Sequence, residues 1–296
     1  PRIGVNRELK KAEEAYWAGK ITKKELLDAA AQIRKENWQL QKEAGIDLIP
    51  SNDFSFYDQT LDLSLSVGAI PERYNALKDD LLELYFAMAH GYQKNGIDVT
   101  AMEMTKWFDT NYHYIVPEFT RDQQFSLTYN KAAREFEQAL PRGIKTKPVL
   151  VGPVTYLLLG KEKEAGFNRI GLIDRLLPVY IQILKELESL GAEYVQIDEP
   201  SLCTDLSQDV KDAYIKAFAQ IRKATRLKII LATYFGPLAD NAALAAGLGA
   251  DILHIDLVRA PEQVGSIAAL LPNDISLRLG VVDGRNIWKN DFRQSL

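Results

Sequence analysis

From Lys147 onward, short apolar runs alternate with longer segments in which apolar residues recur every three or four positions. The runs are Pro148–Val151, Tyr194–Ile197, Ile229–Leu231, Ile252–Ile255 and Leu277–Val282. They predict strands covered on both faces, because a half-exposed strand would alternate apolar with polar residues. Between them, the helical spacing of Ala213, Tyr214, Ala217, Phe218 and Ile221 gives the segment 210–224 one apolar face, and 261–271 is also predicted helical. Strand and helix in strict alternation predict a parallel sheet. The last three strands begin roughly 25 residues apart, close to the unit of an eight-fold βα barrel. An open doubly wound sheet is the rival, weakened because no glycine-rich phosphate turn follows any strand.

The first half is less regular. Leu9, Ala12, Tyr16 and Trp17 share a helical face that Gly19 ends. Thr22 and Glu25 then have capping-box spacing, and Leu26, Leu27, Ala30, Ile33 and Trp38 carry a second helix to Gly45. A short strand is expected over 46–50, followed by an Asp- and aromatic-rich loop from Asn52 to Asp58. Residues 61–92 read as mostly helical. Residues 100–119 mix aromatic with polar positions without a period, and are expected to form a strand and a long functional loop.

Polar residues gather where the later strands end: Gly152-Pro153-Val154-Thr155, Asp198-Glu199-Pro200, Thr233-Tyr234, Asp256 to Arg259 and Asp283 to Asn286. In a βα barrel these positions surround the mouth, where sites are built. Fold class is therefore α/β, a (β/α)8 TIM-like barrel. Both ends read as cut: no strand precedes the first helix, and an amphipathic segment starts at Asn286 without completing a closing helix.

Composition narrows the chemistry. The 296 residues are 47% hydrophobic and 26% charged, with a net charge of −4, which argues against a nucleic-acid partner. No apolar run approaches membrane-spanning length, and no signal-peptide pattern opens the chain. The lone cysteine, Cys203, suits a reducing, cytoplasmic location. One Cys and three His (His90, His113, His254) cannot build a Cys-rich zinc site, and no metal or phosphate-loop spacing appears. Asp198-Glu199 invites a hydrolytic carboxylate pair, yet neighbours on a strand point to opposite faces, which favours a structural role. His113 and His254 are read as satisfied core or supporting histidines, Cys203 as an inert thiol, and Trp17, Trp38, Trp107 and Trp288 as packing.

Six blocks resemble the cobalamin-independent methionine synthases in the family's order: Pro1-Arg2-Ile3-Gly4, Arg7 to Ala12, Glu103 to Tyr114, Lys147 to Tyr156, Val195 to Pro200 and Gly280 to Trp288. The resemblance implies one domain over 1–296, the N-terminal barrel of a two-barrel enzyme. That enzyme is an S-methyltransferase, moving a methyl group from 5-methyltetrahydropteroyl-oligoglutamate to homocysteine to form methionine. It further implies a zinc ion held by residues outside this chain, in the second barrel. There a His-x-Cys pair occupies the strand end that reads Ala232-Thr233-Tyr234 here. Residues matching the family's contacts to the folate glutamate tail are Arg7, Glu8, Leu9, Lys10, Lys106 and Asn111. Cationic side chains at a helix start suit a tail of several carboxylates. On this reading the domain has no catalytic residue or metal of its own and is inactive alone. A stand-alone, non-catalytic binding barrel is the alternative.

Overall fold

The computed structural model describes residues 3–295; Pro1 and Arg2 of the family-like opening, and Leu296, lie outside the described residues. The chain begins with a helical pair, α1 (Glu8–Trp17) and α2 (Lys23–Glu43). The capping box forms as expected: Thr22 Oγ1 accepts from Glu25 N, and the Glu25 carboxylate accepts from Thr22 N at 2.7 Å. Leu9, Ala30 and Ile33 bury the facing sides of the pair against Phe54.

The first strand, β1 (Pro50–Ser51), starts later than the apolar run suggested. Gly45 ends α2 at φ +76°, and Ile46 is left exposed, so the run is largely a connector. Trp38 Nε1 donates to Pro50 O at 3.0 Å and fixes where the strand begins. Then come α3 (Gln59–Ser66), α4 (Leu81–His90) and two antiparallel hairpins. These are β2 (Tyr92–Lys94) with β3 (Ile97–Val99), and β4 (Met104–Lys106) with β5 (His113–Ile115). The aperiodic stretch 100–119 is thus largely a hairpin, followed by β6 (Glu118–Phe119), which pairs with β8 (Lys161–Glu162) further along the chain.

The regular half follows. After α5 (Lys131–Ala139) come β7 (Lys147–Val151), α6 (Pro153–Leu159) and, beyond β8, α7 (Ile173–Ser189). The chain continues through β9 (Tyr194–Asp198), α8 (Gln208–Ala224), β10 (Lys228–Ala232), α9 (Ala242–Gly247), β11 (Ile252–Asp256), α10 (Gln263–Leu270), β12 (Ser276–Gly280) and α11 (Phe292–Ser295).

Six strands pair in the order β1-β7-β9-β10-β11-β12, every pair parallel. This is the barrel-type α/β arrangement the alternation predicted. Its order is open among the described residues, since β1 pairs only with β7 and β12 only with β11. Alternate residues Leu150, Val195, Ile197, Ile229, Leu231, Leu253 and Ile255 turn outward into a core completed by Phe136, Tyr180, Ile183, Tyr214 and Phe218 of the helices. The register places Val151, Asp198, Ala232, His254 and Arg278 side by side on the opposite face.

Replacing Thr22 with Ala removes the hydroxyl half of the capping box and leaves the backbone N–H of position 22 bonded to Glu25. It is expected to cost about 1 kcal/mol, read as a lower urea midpoint with unchanged m-value.

Candidate functional site

Because the sheet is parallel, every strand delivers its C-terminal end to the same rim. Buried carboxylates fix the loops there. Glu199, just past β9, is fully buried and directed at the start of α6, accepting from Val154 N at 3.2 Å, Thr155 N at 2.8 Å and Tyr214 OH at 3.0 Å. It satisfies N–H groups that Gly152, the residue before the helix, has no side chain to reach. A Cβ at Gly152 would lie 2.1 Å from the Glu199 carboxylate, so the two positions are coupled sterically. Burial pushes the Glu199 carboxyl up to about 7.

Asp198 points the other way, into a network on the inner face. It accepts from Gln196 Nε2 at 2.7 Å and Tyr234 OH at 3.0 Å. The Gln196 carbonyl oxygen accepts from Lys147 Nζ at 2.5 Å and Arg278 Nη1 at 3.0 Å. Desolvation, and then the neighbouring Arg278, bring Lys147 down to about 8 and His254 down to about 4, so His254 is neutral. The pair Asp198-Glu199 is therefore divided between two faces, with all its oxygens engaged, and offers no free acid and base for hydrolysis.

The strand end Ala232-Thr233-Tyr234 shows no fit to zinc. Thr233 Oγ1 donates to His254 O, and Tyr234 is committed to Asp198. Among the described residues no three His, Cys, Asp or Glu side chains gather as a metal cage. Cys203 is pushed up to about 12 by burial, consistent with an unreactive thiol.

The residues expected to grip an anionic tail lie on two surface features. At the start of α1, Arg7 takes a left-handed conformation (φ 63°). The Glu8 carboxylate folds back onto its own backbone N–H and accepts from Asn6 N at 2.9 Å, and these N–H groups, its own foremost, hold it below the usual carboxylate range. Gly4 has no room for a side chain beside it: a Cβ would meet Glu8 Oε2 at 2.0 Å. Leu9 is buried in the core, so only its backbone can face a ligand. Lys10 is exposed and only loosely paired with Glu14, at 3.6 Å.

Lys106 and Asn111 lie on the β4–β5 hairpin, both exposed, with no ion pair at Lys106 among the described residues. His113 pairs with Lys106 across this hairpin and is also exposed; of the two roles read from the sequence, core or supporting, it has the second, its Nδ1 lying 3.1 Å from Asn111 O. Trp17, though 42% exposed, packs edge-on against Phe86 and His90 as expected, whereas Trp288 (79% exposed) departs from the packing role expected of it.

The loop between β1 and α3 separates the two features. Phe54 and Phe56 pack with Leu9 on one side. On the other, Tyr57 O accepts from Tyr112 OH at 3.3 Å, and Asp58 Oδ2 accepts from Ile115 N at 2.9 Å. The inner-face residues Lys147, Gln196 and Arg278 escaped sequence reasoning. For Gln196 and Arg278 the signal was a polar residue flanked by apolar ones within a strand; Lys147, at the start of its strand, gave none.

These features define a class: a βα barrel-type domain whose inner polar face is closed on itself and which carries exposed cations at the start of α1 and on the β4–β5 hairpin. Comparison with known proteins supplies the family. Residues 1–296 match the model described as cobalamin-independent synthase, N-terminal domain, and the chain belongs to that family. It is 60% identical to the 5-methyltetrahydropteroyltriglutamate–homocysteine methyltransferase of Flavobacterium johnsoniae and 57% identical to that of Cytophaga hutchinsonii, in each case over the whole chain. It spans 39% of the length of either relative. A solved B12-independent methionine synthase from a Shewanella species, in complex with selenomethionine, superposes with a TM-score of 0.62 at 14% identity. The match covers 90% of this chain and 74% of that one, and at this identity it shows the fold alone.

Burial also raises Asp58 to about 7, as it does Glu199. The folded state holds protons on both groups that the unfolded chain releases at lower pH, so their contribution to stability falls as pH rises toward 7. Glu199→Gln removes one of these groups. Its urea midpoint relative to the unmodified chain is expected to improve between pH 4.5 and about 7, whatever its absolute loss, and a pH-independent difference would refute the assignment.

Proposed function

We propose that this domain holds the glutamate tail of 5-methyltetrahydropteroyl-oligoglutamate for a methyltransferase that forms methionine from homocysteine. The observation that carries the reading is the pair of exposed cationic features, Arg7–Lys10 and the Lys106–Asn111 hairpin, flanking one loop of a domain whose named relatives act on the triglutamate form. A triglutamate tail carries several carboxylates. Lysine ammonium groups without tight partners lose little on exchanging water for a carboxylate, and Arg7 adds a guanidinium with two parallel donors. Glu8, turned back on Asn6, shapes the Arg7 turn rather than meeting the anionic ligand.

The methyl transfer itself belongs, on this reading, to the remainder of a longer protein, a second barrel with a zinc ion that stabilises the homocysteine thiolate. The domain would then act in the cytoplasm, as its single, partly buried cysteine suits. The buried pair Asp198-Glu199 has no free oxygen to act as acid or base, and on this reading the domain acts by binding.

Titration of triglutamyl and monoglutamyl 5-methyltetrahydrofolate into this chain tests the reading. The triglutamyl form is expected to bind more tightly, and Lys10→Ala and Lys106→Ala each to weaken it by roughly threefold to tenfold. Equal affinity for both forms would sink it, and methionine formation by the chain alone would overturn the assignment of chemistry elsewhere.

A further inference from the structure

The β4–β5 hairpin pairs only three residues per strand, and β4 is exposed throughout, so it has little intrinsic stability. Its base is tied down by Asp58, which accepts from Ile115 N, and by Val116 N donating to Glu103 O at 2.8 Å. The tip is attached to the far side of the rim. Asp109 Oδ2 accepts from Arg259 Nη1 at 2.6 Å, a contact spanning 150 residues, and lies 3.7 Å from the Arg285 guanidinium. Beside it the Phe108 ring meets Phe235 with centroids 5.6 Å apart.

Both phenylalanines have positive φ, 50° at Phe108 and 77° at Phe235, a region that bulky residues avoid. Such strain persists only where surrounding contacts over-determine it, and here the two strained residues touch each other. The receiving side is rigid. Asp256, at the end of β11, accepts from Phe235 N and Arg259 N, both at 3.0 Å. Arg259 Nη1 also donates to Phe235 O at 3.1 Å, and its guanidinium lies over the Phe235 ring at 5.6 Å.

We propose that Asp109, Arg259 and the Phe108–Phe235 contact form a clamp that positions the hairpin, and with it Lys106 and Asn111, against the ends of β10 and β11. The four are positioning residues. That they serve the grip on the oligoglutamate tail rests on the function proposed above; that they hold the hairpin does not. The ion pair is too exposed to suffice by itself, so the aromatic contact must share the work.

Hydrogen exchange on the ligand-free chain tests the clamp directly. In Asp109→Asn, Arg259→Lys and Phe235→Gly, the Trp107 amide, bonded to Tyr112 O, is expected to exchange on the order of tenfold faster. Amides of β9 and β10 should keep their protection. Asp109→Glu, which retains the charge, should restore the hairpin, an outcome that general destabilisation would not give.

Triglutamyl-folate affinity, measured in parallel, should fall severalfold in the three loosened variants and recover in Asp109→Glu. Unchanged hairpin exchange in Asp109→Asn and Phe235→Gly overturns the clamp. If exchange accelerates while neither Lys106→Ala nor Asp109→Asn alters affinity, the clamp stands and the tail-binding reading falls.

Discussion

Parallel pairing is the constraint on which the rest of the molecule depends. Once β7, β9, β10, β11 and β12 align in one direction, their outward residues need a helical cover, and their C-terminal ends all arrive at one rim. The cover is supplied by α5, α7 and α8, whose Phe136, Tyr180 and Tyr214 fill the space over Leu150, Val195 and Ile197. Everything on the rim is positioned by this arrangement, including loops that have little structure of their own.

At the rim, carboxylates convert strand ends into fixed points. Glu199 joins the end of β9 to the first turn of α6, and Asp256 joins the end of β11 to the turn after β10. Asp58 serves the loop after β1. Each accepts from backbone N–H groups that would otherwise be buried without partners, a larger penalty than the net gain of an ordinary hydrogen bond. These acids resemble catalytic groups in sequence, yet their oxygens are occupied. Among the exposed cations, Lys106 has no ion pair among the described residues and Lys10 only a loose one with Glu14.

This division explains what could be read in advance. The strands from Lys147 onward were legible from their apolar runs, although only β7 and β10 are buried on both faces while β12 is partly exposed, and the Thr22–Glu25 cap because its spacing is local. The hairpin was not, because β4 and β5 are held by distant residues such as Arg259 rather than by a periodic pattern. β1 was misplaced by a few residues because Ile46 is apolar but exposed. For His113 the core alternative fails for a similar reason: its aromatic neighbours Trp107 and Tyr114 are buried, while it faces out of the hairpin and meets Asn111 O. Resemblance to a family drew attention to Lys10 and Lys106, where charge alone would have suggested ordinary solvated lysines.

Asp58 has a consequence for how the domain opens. One of its oxygens holds Thr60 N and Leu61 N at the start of α3, and the other holds Ile115 N at the base of the hairpin. Two segments more than fifty residues apart in sequence thus share one acceptor group. Neither can fray without stranding half of a buried carboxylate, so the first turn of α3 and the hairpin base form a single cooperative opening unit. A protease that reached the hairpin tip could cut there without releasing the base, which Asp58, the Val116–Glu103 backbone bond and the buried Ile115 and Val116 would still hold.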